Sequence, residues 1–222
     1  MVLCQPLAQE YLLSHRSMRR LGELLAGAGF AALRFDYFGC GDSPGDLTEA
    51  RLDRWLLDVE AATEQLAESS GCARICIVGL RLGANLALHR GLTDPRIDSM
   101  VLWDPVGDMV GYLEADSGTA TVARPDSEFA LEGFEVTGAL VEDLRRMDLS
   151  GRAGSVQARV LLIQTEAESS GPTFVSSLEA AGATVEHRPQ AGPSIWKEDI
   201  NRVVVPHKLL QSMVAWIGQQ PA

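Results

Sequence analysis

Arg81 stands at the centre of a glycine-framed segment, Gly79-Leu80-Arg81-Leu82-Gly83, that follows an apolar run at Arg74–Val78. Flanking glycines allow a sharp turn from a strand into a helix, and such a turn presents its central side chain at the top of a sheet. A guanidinium cannot be deprotonated in a protein, so it cannot attack a carbonyl carbon. It does bind carboxylates and phosphates through paired hydrogen bonds. The chemistry expected at Arg81 is therefore recognition of an anion.

The anion that Arg81 requires has two alternative sources. A cation at a helix N-terminus is disfavoured by about 0.3–1 kcal/mol, and burying it unpaired costs several kcal/mol more. An internal carboxylate, either Glu10 or Glu166, would place the arginine in a structural ion pair, whereas a ligand would make it an anion clamp. The two alternatives are compatible if the ligand competes with the glutamate, and the sequence does not decide between them.

Two aspartates, Asp36 and Asp104, each end a predicted strand on the functional face of the sheet. Such a residue is more often a loop cap than a catalyst, although Asp104 is placed to act as an acid or base. We therefore predict Arg81, Glu10 and Asp104 as the catalytic residues and Asp36 as a substrate contact.

Short apolar runs alternate with amphipathic helical patterns, which indicates a parallel sheet with helices on both faces. We predict an α/β fold, a doubly wound and mostly parallel sheet of about six strands, in one domain over residues 1–222. Loops at the carboxyl ends of such strands carry function. The predicted strands are Met1–Pro6, Ala31–Phe35, Arg74–Val78, Ser99–Trp103, Arg159–Gln164 and Ala183–His187. The predicted helices lie around Met18–Ala28, Leu52–Leu66, Leu82–Arg90, Phe174–Ala181 and Asn201–Ile217.

The segment from Pro105 to Gly154 departs from this alternation. Gly, Asp, Ser and Thr dominate it, with one short helical stripe from Leu140 to Met147. Long irregular segments inside compact domains are usually functional or mobile. We therefore predict that residues 105–154 form a lid inserted over the carboxyl edge of the sheet.

Composition excludes several functional classes. The 222 residues carry a net charge of −11, which argues against nucleic acid or an anionic membrane surface as a partner. We expect no membrane-spanning segment and no signal peptide. The cysteines match neither zinc-ligand nor redox-pair spacing, so we predict no metal, no cofactor and free thiols in the cytoplasm. These cysteines are Cys4, Cys40, Cys72 and Cys76.

Several segments, in register, resemble the α/β-hydrolase superfamily. Arg34-Phe35-Asp36-Tyr37-Phe38-Gly39-Cys40-Gly41-Asp42-Ser43 is similar to its R-x-D-x-x-G-x-G-x-S loop, and the segment around Arg81 is similar to its nucleophile elbow, G-x-S-x-G. With Pro6-Leu7-Ala8-Gln9-Glu10-Tyr11 and Leu131-Glu132-Gly133-Phe134, the chain most resembles the second type of hydrolase associated with exosortase A gene clusters, a relative of serine aminopeptidases. The order of elements matches the superfamily from its third strand onward, so the two strands that usually come before are absent and the sheet is trimmed on one side.

The resemblance implies a degenerate catalytic triad. The nucleophile falls at Arg81, the acid at Glu166 or Glu168, and the base in residues 188–199, which contain Trp196 but no histidine. The histidines lie before the first helix, inside a helix, in a strand and in the last helix; they are His15, His89, His187 and His207. Cys40 and Ser43 are nucleophile types, but turn chemistry alone explains their glycine-rich segment.

The resemblance also implies an oxyanion hole, which needs only backbone amides and does not depend on the missing side chains. Leu82 would supply one amide, and Leu7 or Ala8 the other. Trp196 is expected to form a wall of the pocket. The predicted substrate-binding residues are therefore Leu7, Ala8, Leu82, Trp196 and Asp36.

Two functions follow as alternatives. The first is an enzyme without a Ser-His-Asp triad that acts on a small acyl, ester or carboxylate-bearing metabolite, with an anionic substrate favoured, as a hydrolase or as a lyase or cyclase in biosynthesis. The second is a catalytically inactive homologue that serves as a ligand-binding or accessory protein, and a homodimer is compatible with it. A cavity lined by Arg81, Glu10, Asp104 and Trp196 would favour the enzyme, whereas a closed Arg81–Glu10 pair would favour the inactive homologue.

Overall fold

Six parallel strands form the central sheet in the computed structural model, which describes residues 1–114, 129–131, 134–147, 158–165, 171–189, 192–197 and 204–219. The strands are β1 (Val2–Cys4), β2 (Leu33–Arg34), β3 (Ile75–Leu80), β4 (Ile97–Trp103), β7 (Arg159–Gln164) and β8 (Thr184–Pro189). Their order across the sheet is β2-β1-β3-β4-β7-β8, and every neighbouring pair is parallel. The predicted fold class is confirmed.

Helices cover both faces of this sheet. The helices are α1 (Ala8–Gly27), α2 (Leu52–Ser70), α3 (Leu82–Gly91), α4 (Met109–Glu114), α5 (Gly138–Arg145), α6 (Gly171–Ala180) and α7 (His207–Gly218). On one face, α1 and α7 bury Leu21 and Met213 against Leu3 of β1. On the other face, α2 and α3 bury Trp55 and Leu86 in a separate core. Each inner strand is therefore apolar on both sides, which is why it appears in the sequence as a continuous apolar run.

The first helix begins earlier than predicted. It starts at Ala8, so Glu10 lies in its first turn and His15 lies inside it, whereas we expected both residues before the helix. The pattern was obscured because two of the buried positions of α1 are serines, Ser14 and Ser17. The Ser14 hydroxyl donates to the Glu10 carbonyl at 2.7 Å, which satisfies a polar group that would otherwise be costly to bury.

The last helix begins later than predicted, at His207 rather than Asn201. Pro206 precedes it as the N-cap, and a proline disfavours helical conformation in the residue before it. Residues 201–203 lie outside the described residues.

The segment predicted as irregular contains more structure than its one helical stripe. Besides α5, it holds α4 and an antiparallel pair, β5 (Phe129–Leu131) with β6 (Phe134–Val136). The stripe itself is confirmed, because Leu140, Val141 and Leu144 are the buried residues of α5. Residues 115–128, 132–133 and 148–157 lie outside the described residues, and the lid role of residues 105–154 stays a prediction.

Candidate functional site at the Arg81 turn

The backbone turns sharply at Arg81, between β3 and α3. Arg81 has φ 54° and ψ −127°, a conformation that L-residues rarely adopt, and its N–H donates to the Trp103 carbonyl at 3.0 Å. A Cβ on Gly79 would lie 2.4 Å from the Cα of Ala84, and one on Gly83 would lie 2.3 Å from the Gln5 carbonyl oxygen. Both glycines are therefore required by close backbone packing, as their positions in the sequence indicated.

The Arg81 guanidinium forms an ion pair with Glu10. Its Nε donates to Glu10 Oε1 at 2.8 Å, and its Nη1 donates to the Asp104 carbonyl at 3.2 Å. The cation also lies over two aromatic rings, 5.1 Å from the centroid of Trp196 and 5.5 Å from that of Tyr112. Of the two internal carboxylates considered for this arginine, the structure pairs it with Glu10, while Glu166 and Glu168 lie outside the described residues.

Glu10 is almost completely buried, with 2% of its side chain exposed. Burial raises the pKa of the Glu10 carboxyl, and the charge and hydrogen bond of Arg81 oppose that rise, with smaller contributions from Tyr112 and Lys197. Burial by itself lowers the pKa of Arg81, but the charge and hydrogen bond of Glu10, with smaller contributions from Tyr112 and Asp104, together make the net shift upward. The arginine therefore stays charged, and Glu10 is the group of the pair that titrates.

Tyr112 completes the cluster. Its hydroxyl donates to Glu10 Oε2 at 3.2 Å, so both oxygens of this carboxylate accept a hydrogen bond. We missed this residue in the sequence because it lies in α4, a six-residue helix within the segment predicted as irregular.

Two helix N-termini meet at this cluster. Ala8 is the first residue of α1 and Leu82 the first of α3, positions whose amides have no acceptor within their own helix. Glu10, in the first turn of α1, is stabilised by the helix dipole, whereas Arg81, the N-cap of α3, is destabilised by it. The ion pair offsets that cost. The oxyanion hole predicted at Leu7, Ala8 and Leu82 stays a prediction.

The Asp104 carboxylate serves a structural contact. Its two oxygens accept from Thr165, one from the backbone N–H at 2.8 Å and one from the hydroxyl at 2.6 Å. Asp104 has φ 43° and follows β4, while Thr165 follows β7. The side chain therefore joins two adjacent strand ends. Thr165 was not singled out from the sequence, although its position directly after a predicted strand was a usable signal.

Asp36 caps its own loop. One carboxylate oxygen accepts from the Tyr11 hydroxyl and the Gln5 amide, each at 3.1 Å, and the other accepts from the Asp42 N–H at 3.1 Å. The Ser43 hydroxyl donates to the Asp36 carbonyl at 2.6 Å. These contacts are those of a loop cap, and the predicted substrate contact of Asp36 is untested.

The part of the chain that the structure describes contains neither a metal-binding cluster nor a membrane-spanning helix. No group of three or more His, Cys, Asp or Glu side chains is placed there to hold a metal ion. Across the same ranges, no helix has both the length and the apolar character needed to cross a membrane.

The fold and the turn at Arg81 define an α/β-hydrolase fold. A family model described as serine aminopeptidase, S33, matches residues 13–130, just over half of the 222 residues. The chain therefore belongs to the serine aminopeptidase S33 family.

Curated relatives match over part of the chain. The palmitoyl-protein thioesterase ABHD10, mitochondrial, of Rattus norvegicus is 31% identical over 99 residues, which are 45% of this chain and 29% of that protein. Its counterpart in Mus musculus is 36% identical over the same shares of the two chains. The alignment thus spans less than a third of these relatives.

Solved structures match over nearly the whole chain. Est1E from Butyrivibrio proteoclasticus with bound ferulic acid has a TM-score of 0.72 at 15% identity, covering 99% of this chain and 88% of that one. A structure from the work on LipS and LipT, two metagenome-derived lipolytic enzymes, has a TM-score of 0.67 at 19% identity, covering 99% and 93%. The Pyrococcus furiosus esterase Pf2001 has a TM-score of 0.67 at 16% identity, covering 98% and 80%. At these identities the likeness establishes the fold alone.

Proposed function

We propose that this chain is a non-catalytic member of its family, one that binds a small neutral acyl or ester compound and forms no acyl-enzyme. The carrying observation is the 2.8 Å contact between Arg81 Nε and Glu10 Oε1 at the degenerate nucleophile elbow. Of the two functions that the sequence left open, the ion pair favours the inactive homologue.

The chemistry of the pair supports this reading. Arg81 holds the position from which a nucleophile would project, and a guanidinium cannot take that role. The buried Glu10 carboxylate places a negative charge beside the amides of an oxyanion hole, where it would repel the developing oxyanion that such a hole stabilises. Both features oppose acyl transfer.

The ion pair between Arg81 and Glu10 also disfavours an anionic ligand. An anionic ligand would have to displace Glu10 from Arg81 and leave that carboxylate buried without its partner, which is costly. A neutral ester, thioester or amide avoids this cost. We therefore favour a neutral ligand over the anionic substrate expected from the sequence.

Fluorophosphonate labelling tests the proposal directly, because these probes react with activated serines. We expect no stoichiometric adduct by intact-protein mass spectrometry and no hydrolysis of short-chain p-nitrophenyl esters above the buffer rate, with a serine esterase as positive control. Stoichiometric labelling at Ser43, or at any other serine, would restore a hydrolase mechanism with a relocated nucleophile.

A second candidate is a reaction that needs a general acid or base and no nucleophile, such as a lyase or cyclase step. The observation that favours it is the buried Glu10 carboxyl, whose pKa is raised and therefore lies closer to neutral pH than that of an ordinary glutamate, as a general acid or base requires. Asp104 is less suited to this role, because Thr165 occupies both of its carboxylate oxygens. A turnover found in a metabolite screen and lost in Glu10→Gln, but not in Asp104→Asn, would support this candidate.

We also propose the biosynthetic context of the protein, its cellular compartment and the role of its inserted segment. The motif resemblance to the second type of exosortase A-associated hydrolase supports an accessory role in a biosynthetic gene cluster. All four cysteines are free thiols, which is typical of a reducing compartment and supports the cytoplasm, although the curated relatives are named as mitochondrial. The hydrogen bond from Tyr112 to Glu10 supports residues 105–154 as a lid, since it brings α4 onto the Arg81 turn.

A further inference from the structure

We propose that an apolar cavity beside the start of α1 binds the ligand's apolar portion, an uncharged aryl group of about benzene size or a short branched acyl group. The cavity has a volume of about 160 Å³ and lies between α1 and the glycine-rich loop, residues 39–45. Its lining includes Leu7, Ala8, Leu12, Cys40, Leu47 and Phe134. The inference rests on the proposed function, because it names the part of a neutral ligand that the protein recognises.

The lining carries no charged side chain among the described residues. Its hydroxyl, that of Tyr11, already donates to Asp36 at 3.1 Å. Burial raises the pKa of the Cys40 thiol to about 12, so this side chain is neutral and is not a nucleophile. The cavity therefore favours an uncharged group, since an unpartnered carboxylate would lose its hydration there without compensation.

The volume of the cavity matches a small apolar group. A volume of roughly 150 Å³ is enough to hold a benzene-sized molecule. A phenyl ring or a branched five-carbon group therefore fits inside, whereas a long straight acyl chain would extend past the exposed side chains of Leu12 and Phe134 into solvent. The expected ligand thus differs from a palmitoyl group, which the names of the curated relatives mention.

Hydrogen bonds hold the loop that forms one wall of the cavity. Asp36 joins this loop to the residue after β1, Gln5, and to Tyr11 of α1. Gly39 and Gly41 have positive φ, and a Cβ on Gly41 would lie 2.4 Å from Asp36 Oδ2. A wall that is already held by hydrogen bonds loses little conformational entropy when a ligand binds, and this favours specific binding.

Exposed apolar side chains mark the cavity. Leu12 is 49% exposed and Phe134 is 37% exposed, and both belong to the small set of large exposed hydrophobic residues in the described part of the chain. Phe134 comes from β6, so the segment from Pro105 to Gly154 contributes to this site as well as to the Arg81 cluster. A ligand in the cavity would cover both side chains and so gain the hydrophobic contribution of burying them.

Toluene, with benzoate as its charged analogue, tests the site. We expect saturable toluene binding that shifts the methyl NMR signals of Leu7, Leu12 and Leu47, and benzoate binding at least about tenfold weaker because its carboxylate is not paired. Non-saturable shifts spread over the surface, or equal affinity for benzoate, would overturn the proposal.

Two variants make the test site-specific. Leu47→Trp fills the cavity, and Leu12→Glu places a charge at an exposed position of its lining, where folding is not at risk. Each should weaken toluene binding at least about tenfold. The matched controls are Leu57→Trp and Leu57→Glu, at a leucine on α2 that is 55% exposed and outside this cavity. Binding in both cavity variants that equals the controls would overturn the proposal.

Failure of this inference is distinguishable from failure of the proposed function. If the protein neither binds toluene nor reacts with fluorophosphonate, the cavity proposal is wrong, and the proposal that the Arg81 turn is catalytically inactive stands. A protein that binds toluene and is labelled at a serine has the cavity but is a catalyst.

Discussion

Nε of Arg81 lies 2.8 Å from Oε1 of Glu10, although the two residues are 71 positions apart in the sequence. The contact connects the N-terminus of α3 to the first turn of α1, and 14% of the arginine side chain is exposed. The consequences of this contact for stability and pH dependence can be measured directly.

Arg81→Ala should destabilise the protein. Removing the arginine leaves the buried Glu10 carboxylate without the positive charge that offsets its burial, at a cost on the order of 3–5 kcal/mol in the free energy of unfolding. Urea denaturation measures it, and Arg81→Ala combined with Glu10→Gln should recover part of the loss. Arg19→Ala, which breaks an exposed pair with Glu23, is the control and should have little effect. An Arg81→Ala protein as stable as the wild type would show that the pair does not contribute.

The unfolding free energy should depend on pH through Glu10. Burial raises the folded-state pKa of Glu10 above its ordinary value of 4.5, so in the pH interval between these two values the folded protein holds a proton that the unfolded chain has released. The contribution of Glu10 to the free energy of unfolding is therefore largest below pH 4.5. It falls as the pH rises toward the folded-state pKa, with a slope of up to about 1.4 kcal/mol per pH unit. Denaturation of wild type and Glu10→Gln across this range isolates the slope, which the variant should lack. Parallel profiles in the two proteins would contradict the assignment.

Gly83→Ala should disrupt the turn. The new methyl group would lie 2.3 Å from the Gln5 carbonyl oxygen, and a backbone atom cannot move aside as a flexible side chain can. We expect a loss of about 1–3 kcal/mol or more, as for other overpacked sites. Gly27→Ala is the matched control, because nothing lies within 4 Å of the added methyl group there and alanine favours helix α1. Equal melting temperatures for the two variants would refute the packing argument.

Asp104 and Thr165 should be energetically coupled. Asp104→Ala leaves the Thr165 N–H and hydroxyl without their acceptor, at about 1–3 kcal/mol, whereas Thr165→Val removes one hydrogen bond, at about 1 kcal/mol. A double-mutant cycle should therefore give non-additive losses. Asp42→Ala, at an exposed aspartate of the glycine-rich loop, serves as the control. Additive losses would mean that the two residues do not share this interaction.

The sheet was predictable from the sequence because its inner strands are buried on both faces. Ile75–Leu80 and Arg159–Gln164 therefore appear as continuous apolar runs bounded by polar residues. The edge strand β2 has two residues, fewer than its apolar run suggested, and the start of α1 was hidden by its buried serines. Local patterns thus identify elements more reliably than they identify their ends.

The candidate site was predictable only in part. The glycines around Arg81 indicate the turn. Because a cation at a helix N-terminus is unfavourable, Arg81 needs a nearby anion, and Glu10 could be proposed for that role from the sequence. Tyr112 could not be predicted, because it contacts Glu10 across 102 residues and lies in a helix too short to have a clear period. The match of Asp104 with Thr165 depends on which strands are neighbours, and that is a property of the whole sheet.

The backbone at Arg81 has an implication for protein engineering. An arginine does not need φ 54° to form an ion pair, and a non-glycine residue in so rare a conformation costs on the order of 1–3 kcal/mol. Gly79 and Gly83, the glycines on either side of this residue, pack against backbone atoms, so the tight turn depends on them and not on the chemistry of an arginine side chain. The scaffold is thus ready to present a different residue at the same point, and Arg81→Ser with Glu10→Gln is a natural starting template for installing a new nucleophile by directed evolution.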